Sequence, residues 1–292
     1  MRELRILKPF AKLENAAFLD PIVDAVKRVV DTVVQPQEVR DALHGVPLGH
    51  PLHPLLVLVP TGAWTSSTLL DLVPGGERAA RILVGFGLLS AAPTVLAGVT
   101  DWSRLHEQQM RVGLVHATAN VTAVTLYTAS LLARRRGNIT AGKALGLLGY
   151  AAVTAGGYLG GHLSYRQASG ANHTEQVPHR FPEGWQRLAG LDELPEGRLT
   201  RREVAGQELL VLRRGQSVDV LSDVCSHLAG PLHEGELSED AKNGACVTCP
   251  WHGSVFALQN GEVVHGPATS PLPVFETRVS DGGVEVLLAN AG

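Results

Sequence analysis

Between residues 51 and 164 the 292-residue chain runs through four long apolar windows, about residues 51–73, 82–100, 112–133 and 144–164, each nearly free of formal charge. Crossing a hydrocarbon core as a helix takes roughly 20 apolar residues, which these windows approach or exceed. The connectors DLVPGGERAAR, DWSRLHEQQMR and ARRRGNITAGK are short, polar and rich in Pro, Gly or Arg, as turns between antiparallel spans require. Four buried helices of a large soluble protein are the alternative, but such helices carry a polar stripe and LVGFGLLSAAPTVLAGVT has none. The expectation is a four-span transmembrane bundle over residues 45–165.

Small residues recur in these windows, among them Gly85, Gly87, Ala91, Gly156 and Gly160, and they permit close helix approach in lipid. Ahead of the bundle, residues 1–44 form an amphipathic segment in which Asp20 and Pro21 open a helix with Ile22, Val26, Val29, Val30 and Val33 at helical spacing. Such a helix lies at a membrane interface or packs on a protein surface. The first residues, MRELRILKPFAKLENAAF, lack a long apolar core with a small-residue cleavage site, so no cleaved signal is expected. A net charge of -3 argues against a nucleic-acid partner.

Titratable groups at membrane depth are costly and point to function by default. In a four-span topology His50, His53, His106, His116 and His162 all fall at the end that carries the C-terminal part of the chain. His116 and His162 are candidate axial ligands for a haem b, with His53 as alternate, and Asn120, one turn from His116, can orient a ring or a quinone carbonyl. The plainer reading, preferred to haem, is that these histidines bond backbone carbonyls and headgroups. Quinol or proton chemistry stands between the two.

From about Trp185 short β-rich runs alternate with Gly, Asn and Pro turns, as in a small all-β domain spanning residues 185–292, with residues 166–184 as a polar linker long enough to permit domain motion. This part contains CSHLAGPLHEGELSEDAKNGACVTCPWHGSVF, with a Cys-x-His pair, Cys225 and His227, and a Cys-x-x-His pair, Cys249 and His252. Two Cys and two His make either a tetrahedral zinc site or a two-iron cluster, and spacing alone does not choose. Each pair is followed by a Gly- and Pro-bearing turn, whereas zinc fingers place one pair on a helix. Cys246, the remaining cysteine, lacks the Cys-x-x-His spacing and reads as a small core residue.

These boxes, with the downstream Gly-Pro-Ala and Pro-Leu-Pro of HGPATSPLP, resemble a Rieske [2Fe–2S] domain of the ferredoxin type. The resemblance implies a [2Fe–2S] cluster with Cys225 and Cys249 on the inner iron and His227 and His252 on the exposed one. About 21 residues separate His227 from Cys249, more than is usual, with SEDAKNGA as the extra turn. Quinol-oxidising members of the family join one further cysteine in each box as a disulfide; here those positions are Gly230 and Trp251. High-potential members donate hydrogen bonds to the cluster from a Ser and a Tyr; this chain keeps Ser254 and has Phe256 in place of the Tyr. The resemblance therefore implies a potential below that of quinol-oxidising members. The helical half resembles an uncharacterised four-helix bacterial membrane family marked by an HPLHP motif.

Only about 36 residues follow Phe256, too few for the mononuclear-iron domain of an oxygenase. The expected function is a membrane-anchored one-electron carrier of the cytoplasmic membrane, embedded in lipid and serving a redox partner protein, quinone or a site in the bundle. Alternatives are a redox-sensing or scaffold protein and the anchored ferredoxin of a separate oxygenase or reductase. Arg134, Arg135, Arg136 and Lys143 favour a cytoplasmic third connector, which puts the metal domain on the extracytoplasmic face; Arg2, Arg5, Lys8, Lys12, Lys27 and Arg28 pull the other way.

Overall fold

The computed structural model describes residues 12–289, so Arg2, Arg5 and Lys8 lie outside the described residues. The described chain divides into two compact units, one of residues 12–39 and 51–169, the other of residues 40–50 and 170–289. Both departures from the expected boundaries have a physical cause. Residues 40–50 pack on the β-rich unit, and residues 170–184 do not hang between units as a linker. They carry a short helix, Val177–Arg180, that places Val177 and Phe181 in a sheet core.

The first unit is helical. Helix α1, Asp20–Val33, starts with an acidic residue and Pro in its first turn, both favourable at a helix N-terminus. Val23 and Val30 are buried, while Ile22, Val29 and Val33 remain exposed, so its apolar stripe is only half used. Helix α2 is Gln37–His44, of which residues 40–44 belong to the second unit. The first apolar window forms two pieces, α3 (Leu52–Leu56) and α4 (Leu58–Leu70). Pro60 has no N–H for the Leu56 carbonyl, and the Thr94 hydroxyl donates to that carbonyl instead, at 3.3 Å. Helices α5 (Glu77–Trp102), α6 (Glu107–Arg135) and α7 (Ile139–Gly161) correspond to the other three windows. Among the described residues, α5 alone is long and apolar enough by length and composition to cross a membrane, and only 28% of its most apolar stretch is buried.

The surface of this unit carries large apolar side chains, and its helices approach one another through small residues. Exposed positions hold Ile82, Phe86, Leu89, Val121, Leu147 and Leu148, while the buried faces hold Ala80, Gly87, Ala91, Gly142, Gly149 and Gly156. Gly87 is required by close approach, since a Cβ there would lie 2.3 Å from Trp64 Nε1. That tryptophan stacks on Tyr127 with ring centroids 4.4 Å apart. At one end of the bundle the fully buried Arg134 reaches Asp71 at 2.7 Å, and Lys143 donates to the Asp71 carbonyl. At the other end Arg111 grips the Asp20 carboxylate at 2.6 and 2.8 Å, docking α1 on α6.

The second unit is all-β apart from the short helical pieces already given. Strands β1 (Gln186–Gly190), β2 (Leu199–Val204), β3 (Gln207–Arg214), β4 (Ser217–Ser222), β9 (Val274–Ser280) and β10 (Gly283–Leu288) form an antiparallel sheet in the order β1-β10-β9-β4-β3-β2. A smaller antiparallel sheet follows the order β5-β6-β7-β8, from β5 (Glu236–Asp240), β6 (Gly244–Thr248), β7 (Val255–Ala257) and β8 (Val263–His265). The SEDAKNGA insertion is the β5-β6 hairpin, whose turn is held by Asp240 accepting from the N–H groups of Lys242 and Asn243. Alternation along β3 sends Leu209 and Val211 into one core with Val177 and Phe275, and Leu210 and Leu212 into another with Cys225, Cys249 and Phe256.

Candidate metal centre

The two boxes sit on neighbouring loops, one after β4 and one between β6 and β7. In the first, the Cys225 N–H donates to the Gly230 carbonyl at 2.9 Å, and the Ala229 N–H returns to the Cys225 carbonyl at 2.9 Å. This closes a tight turn with Ala229 at a φ of 60°. In the second, the Cys249 N–H donates to the Ser254 carbonyl at 2.8 Å, and the Gly253 N–H to the Cys249 carbonyl at 3.1 Å.

Folding back in this way turns backbone donors onto the sulfurs. The N–H groups of His227 and Leu228 address Cys225, and those of Trp251 and His252 address Cys249. Both thiols are buried, at 1% and 3% exposure, and adjacent. As free thiols they share a hydrogen bond: donation to Cys249 and burial hold Cys225 well up, and acceptance of that hydrogen bond draws Cys249 down to about 7. His227 and His252 are part-exposed, their rings 5.1 Å apart and nearly perpendicular.

The donors thus come as two pairs, buried thiols and more exposed imidazoles. A pair of thiols beside a pair of imidazoles suits a two-iron cluster, with thiolates on one iron and imidazoles on the other. Gly230 completes the cradle: a Cβ there would lie 2.8 Å from the Cys249 sulfur and 3.2 Å from Trp251. The two positions that could carry a clasping disulfide are therefore neighbours, joined instead by an indole over a glycine.

Ser254 is fully buried and its Oγ accepts the Ala268 N–H at 2.9 Å, which leaves its own hydrogen to donate elsewhere. Phe256 is also fully buried, in the core that contains both cysteines. Cys246 lies buried in β6, and burial raises its thiol pKa, as befits a packing residue.

Two features escape a reading of the boxes. Buried Asp223 bonds the His233 N–H at 2.7 Å and His233 Nδ1 at 2.6 Å, and burial pushes its carboxyl up. Asp41, far away in sequence, bonds His265 and Gly266. Neither lies at a diagnostic spacing.

Of the five histidines singled out in the sequence, His53 and His116 come together, with ring centroids 6.4 Å apart. His53 Nδ1 donates to the Thr94 carbonyl at 2.9 Å and His116 Nδ1 to that of Gly156 at 2.7 Å. The Asn120 amide donates to His116 Nε2 at 3.1 Å. His162 Nε2 meets Glu14 at 2.8 Å. His106 begins α6 in a capping box with Gln109. His50 belongs to the β-rich unit rather than to the bundle.

A thiolate pair and an imidazole pair on two glycine-bearing loops of a small antiparallel domain define a Rieske-type iron–sulfur protein. Residues 184–276 match the family described as Rieske [2Fe–2S] domain, and residues 49–173 match DUF2231, described as a predicted membrane protein. The anthranilate 1,2-dioxygenase ferredoxin subunit of Burkholderia cepacia is 35% identical over 103 residues, 35% of this chain and 90% of its own length. Ferredoxin CarAc of Metapseudomonas resinovorans is 32% identical over 103 residues, 35% of this chain and 92% of its own length. Among solved structures, the ferredoxin of carbazole 1,9a-dioxygenase from Nocardioides aromaticivorans IC177 is 30% identical, covers 35% of this chain and 96% of its own, and has a TM-score of 0.32. The chain belongs to the Rieske [2Fe–2S] family, and its cofactor is a [2Fe–2S] cluster.

Proposed function

We propose that this chain is a membrane-anchored Rieske ferredoxin, with Cys225 and Cys249 holding one iron and His227 and His252 the other. The observation that carries the proposal is the unequal exposure of the two pairs. The thiols are sealed in a core, whereas the imidazoles are part-exposed beside the half-exposed Trp251, which offers a contact for a redox partner. When bound, the cluster supplies a one-electron couple. The chain's own residues hold the thiolates with backbone N–H groups and exclude water from them with Leu232, Val247 and Phe256. Relatives named as dioxygenase ferredoxin subunits support an oxygenase or reductase as partner.

The anchor is the helical unit, read as four spans built from α3 with α4, α5, α6 and α7. Its outward Leu, Ile, Val and Phe and inward Gly and Ala support this reading, since such packing suits lipid rather than water. Helix α6 is polar in composition, yet the hydroxyls of its exposed Thr118, Thr122, Thr125 and Thr128 each donate to the carbonyl four residues earlier. Hydroxyls satisfied in this way carry little penalty in hydrocarbon. Arg135 and Arg136 favour a cytoplasmic third connector and an extracytoplasmic metal domain; Arg134, neutralised by Asp71, adds nothing to that count.

The test is reduction of detergent-purified protein, followed by its electron paramagnetic resonance signal. A soluble NADH-dependent reductase is expected to reduce the cluster at catalytic rates. Reduction by menaquinol or ubiquinol alone, with none by the reductase, would assign the chain to quinol oxidation. Reporter fusions at residues 138 and 292 should report opposite sides, and agreement between them would break the four-span reading.

A further inference from the structure

The residues that precede the first apolar window form part of the cluster-bearing unit. Asp41, 9% exposed, places its two carboxylate oxygens on consecutive residues: Oδ2 accepts from His265 Nδ1 at 2.8 Å and Oδ1 accepts the Gly266 N–H at 2.9 Å. Gly266 is closely packed, since a Cβ would lie 3.0 Å from Val46 and 3.2 Å from His44. The strap is therefore both bonded to this loop and pressed on it.

From Gly266 the loop runs through Pro267 to Ala268, whose N–H donates to the Oγ of the fully buried Ser254 at 2.9 Å. The Ser254 carbonyl in turn accepts the Cys249 N–H at 2.8 Å. Because Oγ is already an acceptor, the hydroxyl hydrogen is directed away from Ala268 and is free to serve the cluster.

We propose that Asp41 is a positioning residue for the cluster: by fixing the Gly266–Ala268 loop it aims the Ser254 hydroxyl and thereby sets the reduction potential from a site outside the Rieske boxes. A donated hydrogen bond stabilises the more negative reduced state, so losing its aim lowers the potential. The inference rests on the cluster reading above.

The experiment uses the full chain in detergent, with potentials read by resonance-monitored titration. Asp41→Ala is expected to change the reduced-to-oxidised ratio at fixed poise up to tenfold, a fall of up to about 59 mV for one electron. Asp41→Asn, whose amide oxygen still accepts from Gly266, and His265→Ala, which removes only the bond to Oδ2, each fall by less than Asp41→Ala. In a Ser254→Ala background Asp41→Ala causes no further fall, because the path is already cut. An unchanged potential in Asp41→Ala, equal shifts in the Ala and Asn variants, or an undiminished shift in the Ser254→Ala background would each overturn the inference. Wild-type protein without a Rieske signal would instead overturn the cluster reading itself.

Discussion

Phe256→Tyr adds one hydroxyl at a position with no exposure, in the core shared by Cys225 and Cys249. Two results follow from where that hydroxyl finds a partner. If it donates to the cluster, it stabilises the reduced form more than the oxidised form; a difference of about 1.4 kcal/mol is tenfold in the couple. One tenfold step is about 59 mV for a one-electron centre, so the potential is expected to rise by that order. Stability should then change little, since the buried group is satisfied. A hydroxyl left without a partner costs about 1–3 kcal/mol, which a thermal melt reads as a lower midpoint. The assay pairs a redox titration with a melt on the same preparation, and Phe256→Leu serves as the control that alters packing without a donor. A variant potential at or below wild type refutes the argument that the missing donor keeps the potential low.

The other expectations concern the cradle, the bundle and its docking helix. Gly230→Ala puts a methyl 2.8 Å from the Cys249 sulfur, so cluster content after purification, read as iron per chain, should fall sharply while the β-sheet circular dichroism is retained. Arg134→Ala leaves Asp71 as a buried charge without its partner and should cost about 3–5 kcal/mol in detergent melts, whereas an Arg134→Met, Asp71→Leu double variant should recover most of that loss. Asp20 is held below its ordinary value of 3.8 by its hydrogen bonds to Arg111. Its contribution to docking α1 is therefore fully present above that value and is lost as pH falls through the lower folded value. Hydrogen exchange in α1 should accelerate on acidification, and Asp20→Asn should abolish that dependence.

The boxes were legible as a domain signature because ligand chemistry constrains both residue type and local spacing; the structure sets Cys225 beside Cys249 and His227 beside His252. The apolar windows were legible as helices for a similar reason, since a long run without charge leaves few other folds. Less visible was the break in the first window, which depends on Pro60 and on a hydroxyl from Thr94, 38 residues away. Invisible in advance was the membership of residues 40–50. A short polar stretch such as RDALHGVPLG carries no periodicity that assigns it to one neighbour, and its place is set by the Asp41 bonds to His265 and Gly266, 224 and 225 residues away. The pairing of His116 with His53 was open for the same reason, because helix rotation rather than sequence position selects which rings meet.

The indole of Trp251 lying against Gly230 has a consequence for how the two loops withstand reduction. A cystine joining the two loops would have to be formed by an oxidising pathway and would be exposed to thiol reductants thereafter. An aromatic–glycine contact needs no oxidant, and glutathione or dithionite has no bond in it to cleave. The cradle therefore keeps its shape through each reduction without a covalent link between its loops.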